Sequence, residues 1–345
     1  MNNAVMIAMS AGVDSAIAAH LIASSNVPCA GVTMQHFEGC GAHDATEAAA
    51  LCAKMGIPHF TAELSDAFYK EVILPFIKAY EDGATPNPCV LCNKHVKFGA
   101  LLEYAGANGY DRIATGHYAR LERSASGRML LRRAVDEAKD QTYMLYTLTQ
   151  DVLARVCFPL GEMKKQEVRA LAASLGLSVA NREDSQDICF IPDGDYAAYI
   201  ARTTGKTYKR GTFLSMDGSV IGEHRGQLHY TIGQRKGLGI ALGAPAYVVS
   251  KSAKDNTVTL GKNEDLFTSR LTANHINLIP FDSLDTPIHC LAKVRYAQAP
   301  TRVRVEQIDK DELLVEFETP QRAISRGQSL VLYEDDYLVG GGTIL

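Results

Sequence analysis

No stretch of this sequence comes near the ~18 uninterrupted apolar residues that a membrane-spanning helix needs. Its first residues, MNNAVMIAMSAGVDS, lack the basic start and long apolar run of a secretion signal. Neither G-x-x-x-x-G-K-[ST] nor G-x-G-x-x-G occurs anywhere, which removes the ordinary P-loop and dinucleotide-binding readings. No internal repeat and no low-complexity or disordered segment is evident. Net charge is −4, so the chain as a whole has no electrostatic pull toward nucleic acid. Eight cysteines in 345 residues without a secretion signal read as thiols of a reducing compartment, not as a disulfide framework. The expectation is a cytoplasmic protein with no membrane partner.

What is present is enough apolar content, 46%, to give two or three domains cores of their own. AVMIAMS suits a buried parallel strand, and DSAIAAHLIASS places apolar residues 17, 18, 21 and 22 at helical spacing. PCAGVTMQHF and PHFTAEL read as strands around the helix ATEAAALCAKMG, which Gly56 stops. DAFYKEVILPFIKAYEDG is helical, with a kink expected at Pro75. A further helix from Val90 to about Ala107 precedes the strand YDRIATGHY, and residues 136–200 look mainly helical. Strands alternating with helices imply a parallel sheet covered on both faces. Beyond residue 205 the pattern changes to short alternating runs such as TVTLGK, TRVRVEQI and SLVLYE, separated by Gly and Asp-Gly turns. The fold class is therefore α/β, a Rossmann-like domain over residues 1–204, followed by two all-β modules over 205–268 and 269–345.

Charge is unevenly spread. Residues 201–240 hold Arg202, Lys206, Lys209, Arg210, Arg225, Arg235 and Lys236 against Asp217 and Glu223, a local excess of five positive charges. Such a stretch is either a solvated basic face or the footprint of a polyanion.

MSAGVDSA sits where the first strand feeds the first helix, the junction at which open α/β sheets bind ligands. Free amides and the dipole at a helix start attract anions. Gly12 permits close approach, and Ser10 and Ser15 add hydroxyls. Asp14 could reach Mg²⁺ or cap the helix. By itself such a turn is more often a plain N-cap. A second unusual stretch, ATPNPCVLCNKHVKF, carries Cys89 and Cys92 directly after a proline turn. A buried pair, half of a metal site, a redox couple and nucleophiles beside a substrate are all open.

The loop resembles the S-G-G-x-D-S motif of ATP pyrophosphatases, which split ATP into AMP and pyrophosphate. TPNPCVLCNKHVKF, IATGHYAR, KDQTYMLYTL, DSQDICFI, GQLHYTIGQRKGLGI, VRYAQ and RGQSLVLYEDDYLVGGG follow in order. Together they resemble the tRNA-specific 2-thiouridylases along nearly the whole chain. The resemblance implies a two-stage enzyme reaction on the wobble uridine in the anticodon stem-loop of tRNA. The C2 oxygen is first adenylated with ATP and Mg²⁺, and sulfur then displaces AMP. It places the nucleotide at Ala8, Met9, Ser10, Ala11, Gly12, Val13, Asp14 and Ser15, with Met34 and Gly116 at base and ribose. Cys92 matches the nucleophile, and Cys189 the cysteine that carries persulfide sulfur from a donor protein. Asn87, Pro88 and Cys89 match the turn holding the flipped target base. His117, Lys139, Asp140, Gln141, Arg295, Tyr296 and Gln328 match tRNA contacts. Cys29, Cys40, Cys52, Cys157 and Cys290 are expected to be inert packing.

The chain departs from the family's pattern twice. Where members most often carry an acid/base Asp it has Cys89. Cys89, Cys92 and Cys189 would then also suit a three-cysteine [4Fe–4S] cluster carrying hydrosulfide, or a zinc ion. Ala11 stands for the loop's second Gly and is strained if its φ is positive. A non-catalytic tRNA-binding protein with a degenerate ATP loop, and another ATP pyrophosphatase acting on a small substrate, are the rival readings.

Overall fold

The computed structural model describes residues 3–37, 42–181, 188–241 and 243–345. Its first sheet is parallel and is built from β1 (Val5–Ala8), β2 (Cys29–Gln35), β3 (His59–Glu63), β4 (Arg112–Ala114) and, past a hairpin of β5 (Ala119–Arg123) and β6 (Met129–Arg133), β7 (Val156–Cys157). The order is β3-β2-β1-β4-β7, so β1 lies in the middle. Alternation along β1 serves both faces. Val5 and Ile7 join a core with α1 (Val13–Ala23), α2 (Ala42–Lys54) and the helix Lys165–Ser174. Met6 joins the opposite core with residues 65–81, the helices after Pro88 and the helix Tyr196–Thr204.

Two of the helical expectations change in detail. Pro75 does not break its helix: Tyr69–Ile73 is a π-helical turn and Leu74–Glu81 continues as α-helix with the proline in its first turn. The wider turn relieves the clash that a proline ring makes with the carbonyl four residues back. The described part of residues 136–200 is less helical than expected. Apart from Lys165–Ser174 and Tyr196–Thr204 it holds single turns such as Glu137–Lys139 and Thr142–Met144.

A four-stranded sheet follows, made of β8 (Gly211–Leu214), β9 (Val220–His224), β10 (Tyr247–Ser252) and β11 (Thr257–Gly261), closed over Phe213, Val248, Val258 and Leu260. The seven basic residues of the 201–240 stretch are all exposed. Three of them lie in surface ion pairs, among them Lys206 with Glu81 at 2.6 Å.

The last sheet comprises β12 (Phe267–Leu278), β13 (Ile288–Lys293), β14 (Thr301–Asp309), β15 (Glu312–Arg322), β16 (Ser329–Glu334) and β17 (Tyr337–Ile344). β12 pairs with both β15 and β17, which closes it as a barrel. The β5–β6 hairpin of the first domain extends this sheet beside β17. Asp336 holds the junction: it accepts from Arg120 Nη2 at 2.8 Å and from Arg132 Nη2 at 2.6 Å.

Desolvation alone would raise the Asp336 carboxyl, but Arg132 and Arg120 outweigh it and hold the group below the ordinary aspartate range. A depressed carboxyl stabilises the fold above its unfolded pKa, and that contribution is lost as pH falls through the folded value. Asp336→Asn should therefore cost about 1 kcal/mol at neutral pH once solvent screening is allowed for. Denaturant titrations should show the difference between wild type and variant shrinking below about pH 4. A difference that persists there would assign the junction to packing and not to charge.

Candidate active site

Residues 9–12 form the loop at the carboxyl end of β1, with β2 on one side and β4 on the other. Crossovers diverge at that point and leave a crevice. Gly12 is the N-cap of α1, and no side chain caps the helix. The loop is closed from within: Ser15 Oγ donates to Gly12 O at 2.9 Å and accepts from Ser10 N at 3.2 Å. Met9, Ala11, Val13 and Ser15 are buried while Ser10 is exposed, so the loop offers main chain and one hydroxyl to a ligand. Ala11 has φ +51°, which shows that this position does require the left-handed region where a Cβ is strained.

Gly116 follows β4 and abuts the start of α1. A Cβ there would lie 2.9 Å from the Asp14 carbonyl carbon and 3.0 Å from Ser15 N. Met34, near the end of β2, packs at the edge of the core on the other face. Asp14 is not a bare carboxylate. Lys165 Nζ donates to its two oxygens at 2.8 and 2.7 Å, and Tyr118 Oη donates to Oδ1 at 2.8 Å. The amide of Lys165 donates to Asp136 at 2.8 Å, and Gln141 Oε1 accepts from the Tyr118 amide at 3.0 Å. Lys165 and Tyr118 were not singled out from the sequence. The cue was available for the lysine: a cation at a helix start opposes the helix dipole and needs an acid from elsewhere. Beside this group Lys139, Lys164, Lys165 and Arg169 line a cavity of about 730 Å³ together with Asp136 and Glu137.

The thiol-bearing turn lies on the other face of the sheet. Asn87 caps the helix Pro88–Leu91, its Oδ1 accepting from Cys89 N at 3.2 Å, and Pro88 takes the first position. The chain then runs through a π-helix, Cys92–Ala100, into the α-helix Leu101–Ala107. In a π-helix residues five apart are bonded neighbours on successive turns, whereas an α-helix would set them about 140° apart around the axis. Lys97 lies in this π-helix, near enough for its charge to act on Cys92 and Cys89. Solvent reaches Cys89 and less so Cys92. Desolvation raises both thiols, and the Lys97 charge opposes that rise in each. His117 bonds Thr115 Oγ1 through Nδ1 at 2.7 Å and lies between Phe98 and Phe158. Burial, with Lys97 adding to it, holds His117 well below the usual histidine range, so its ring is neutral.

The remaining expected site residues divide. Cys189 is exposed, while its neighbours Ile188 and Phe190 pack into the core that Cys92 also touches. Residues 182–187, which include the first four of DSQDIC, lie outside the described residues, as does Cys40. Among the described residues no three His, Cys, Asp or Glu side chains gather as a metal site, so Cys89, Cys92 and Cys189 do not form a ligand cluster. Cys52 and Cys290 are pushed up to about 11 and about 12, chiefly by burial, as befits inert thiols. Cys29 and Cys157 are raised for the same reason.

Several residues matched to tRNA contacts are engaged within the protein. Asp140 accepts from Ala134 N and Thr142 Oγ1. Arg295 Nη2 donates to Ala323 O at 2.5 Å and lies 3.4 Å from Ile232 O, linking the two β modules. Tyr296 Oη donates to Asp140 O at 3.1 Å, and Gln328 Nε2 to Thr85 O at 2.8 Å.

Replacing Lys97 with Met removes a charge that lowers both thiols of the turn. The pH at which Cys92 becomes alkylated by iodoacetamide, followed peptide by peptide, should move upward, and Lys97→Arg should restore it. An unchanged midpoint in Lys97→Met would separate the lysine from the thiols.

Family models match the chain in three consecutive parts. The tRNA methyl transferase HUP domain covers residues 3–193, the tRNA methyl transferase PRC-barrel domain 198–262, and the aminomethyltransferase beta-barrel domain 268–344. The chain is similar to the tRNA-specific 2-thiouridylase MnmA of Lachnoclostridium phytofermentans, at 42% identity over 99% of each chain. It is 44% identical to that of Clostridium kluyveri over 100% of this chain and 99% of the other. Identity to the Clostridioides difficile protein is 43% over 100% of this chain and 98% of that one. With identity of this level from end to end, and a loop, a thiol turn and two β modules placed as described, the chain belongs to the tRNA-specific 2-thiouridylase family.

Proposed function

We propose that this chain uses ATP to convert the wobble uridine of tRNA to 2-thiouridine, in the cytoplasm. The observation that carries the reading is the presence, in one domain, of an uncapped helix start at the sheet's crevice and a separate turn bearing Cys89 and Cys92. Two chemically different steps need two such places. In the first, the uridine C2 oxygen attacks the α-phosphate of ATP and pyrophosphate leaves. The α1 amides receive phosphate oxygens, and Gly12 and Gly116 leave the main chain open to them. Lys165 offsets the charge gathering on the leaving group.

The residues present fit Mg²⁺ in one respect. Asp14 Oδ1 accepts from both Lys165 and Tyr118, but Oδ2 accepts from Lys165 alone and keeps one lone pair, through which the carboxylate would hold the ion while remaining tied to the lysine. Bound there with the nucleotide, Mg²⁺ would supply further neutralisation of phosphate charge. Cys89, Cys92 and Cys189, which do not gather as a three-ligand group among the described residues, do not fit a [4Fe–4S] cluster.

In the second step, a persulfide on Cys189 attacks C2 with its terminal sulfur and AMP departs. Cys92 thiolate then attacks the Cys189 sulfur, which forms a disulfide and leaves the terminal sulfur on C2; a thiol reductant resets the pair. Exposure of Cys189 suits delivery by a sulfur-donor protein. Lys97 favours the thiolate at Cys92. Exposed basic residues of the 201–240 stretch supply a tRNA-facing charge.

Cys92→Ser and Cys189→Ser should each lose thiolation while keeping tRNA-dependent pyrophosphate release, because sulfur chemistry follows adenylation. Thiolation surviving in Cys189→Ser would remove the persulfide from that residue. Iron bound by anaerobic wild-type protein and lost together with thiolation in Cys89→Ala would install the cluster instead. No pyrophosphate release by wild type with tRNA would leave a binding protein.

Ala11→Gly relieves backbone strain of about 1 kcal/mol and forfeits one buried methyl worth about 0.8 kcal/mol. Its melting temperature should stay nearly unchanged, and its affinity for ATP should hold or improve. A marked loss of ATP affinity would mean that the loop is built around alanine.

A further inference from the structure

The C-terminal barrel reaches the thiol-bearing turn through one short segment, residues 325–329. Thr85 N donates to Arg326 O at 2.8 Å, and Gln328 Nε2 donates back to Thr85 O at 2.8 Å, with Pro86 O at 3.4 Å. Gly327 makes this approach feasible. Its φ is +87°, and a Cβ there would lie 3.0 Å from Ala84 Cβ and 3.3 Å from Thr85 N. The segment is itself fixed from behind: Gly327 N donates to Ile344 O at 2.8 Å and Ile344 N to Gln328 O at 2.9 Å. Next to it, the fully buried Tyr143 donates to Ser329 O at 2.8 Å. Tyr143 lies two residues after Gln141, which holds the main chain of Tyr118 beside Asp14.

On the other side of the contact, Thr85 and Pro86 lead directly into Asn87, whose side chain caps the helix carrying Cys89 and Cys92. Asn87 Nδ2 also faces Met144 Sδ at 3.5 Å. A shift of Thr85 is therefore transmitted through one residue to the cap and from the cap to both thiols. We infer that Gln328 is a positioning residue, whose side-chain amide holds the main chain of residues 85–86 and so sets the placement of Cys89 and Cys92. The barrel then serves as a brace for the sulfur-transfer turn as well as a surface for tRNA. This rests on the thiolation reading above for its kinetic part and on the geometry alone for its structural part.

The test uses the full-length protein with Gln328→Met, which keeps length without a donor, and Gln328→Lys, which restores a donor. Hydrogen exchange over residues 84–92 is measured without tRNA, then tRNA affinity, then single-turnover thiolation at saturating tRNA. Gln328→Met should speed exchange over 84–92, leave tRNA affinity within about threefold, and slow thiolation about tenfold, as a small misplacement of reacting groups does. Gln328→Lys should recover both the protection and the rate. Unchanged exchange in Gln328→Met, or weaker tRNA binding with an unchanged single-turnover rate, would overturn the assignment and leave Gln328 as a simple tRNA contact. If wild type does not thiolate tRNA, the functional reading fails, while the exchange comparison still decides whether Gln328 holds the turn.

Discussion

The ion pair between Lys165 and Asp14, 151 positions apart, is the contact on which the rest of the loop after β1 depends. Lys165 is nearly buried while Asp14 keeps about a third of its side-chain surface. Removing either partner of such a pair leaves a charge with little solvent to compensate it, a situation that costs several kcal/mol when burial is complete. Around it the hydrogen bonds branch: Tyr118 to Asp14, Gln141 to the Tyr118 amide, Asp136 to the Lys165 amide. Through these the first turn of α1, the segment after β4 and the Lys165–Ser174 helix are fixed to one another. Gly116 is part of the same joint, because only a residue without a side chain lets the segment after β4 lie against Asp14.

The thiol end obeys a different constraint. Its helix begins under an Asn87 cap and loosens into a π-helix from Cys92 to Ala100. Such turns carry poorer hydrogen-bond geometry than an α-helix and persist where tertiary contacts hold them. Here the holding contacts include the buried Asn93, which donates to Met144 O at 3.1 Å, and the barrel segment at Thr85. The Lys97 charge offsets part of the rise that desolvation imposes on both thiols. The loop after β1 and the cysteine-bearing turn are thus kept on separate faces of one sheet.

Much of this was legible beforehand. The alternation of AVMIAMS, PCAGVTMQHF and PHFTAEL with amphipathic helices required a parallel sheet, and a parallel sheet with a loop after its first strand fixes where a ligand lies. The change to short alternating runs after residue 205 required β modules. The β5–β6 hairpin escaped this reading because its partner strand, β17, lies at the far end of the chain, with Tyr337 facing Arg132. The roles given to Asp140, Arg295 and Gln328 came from resemblance, and their side chains turn out to be hydrogen-bonded to the protein's own main chain. Side-chain direction at a loop or strand end depends on which acceptors the rest of the fold supplies, and those do not appear in a local pattern.

By itself, the sequence determined the parallel α/β sheet followed by β modules, a glycine at the first helix start, the thiols after a proline turn and the family to which they belong. These are local, because periodicity, turn chemistry and residue identity act over a few positions. The tertiary structure alone decided that Ala11 sits at positive φ, that Lys165 closes on Asp14, that the Lys97 charge acts on Cys92 and that a barrel turn holds Thr85. Each of these depends on which distant segment the folded chain brings alongside. Hydrophobic burial chooses that neighbour without regard to sequence separation, and hydrogen bonds and charges then fix its position.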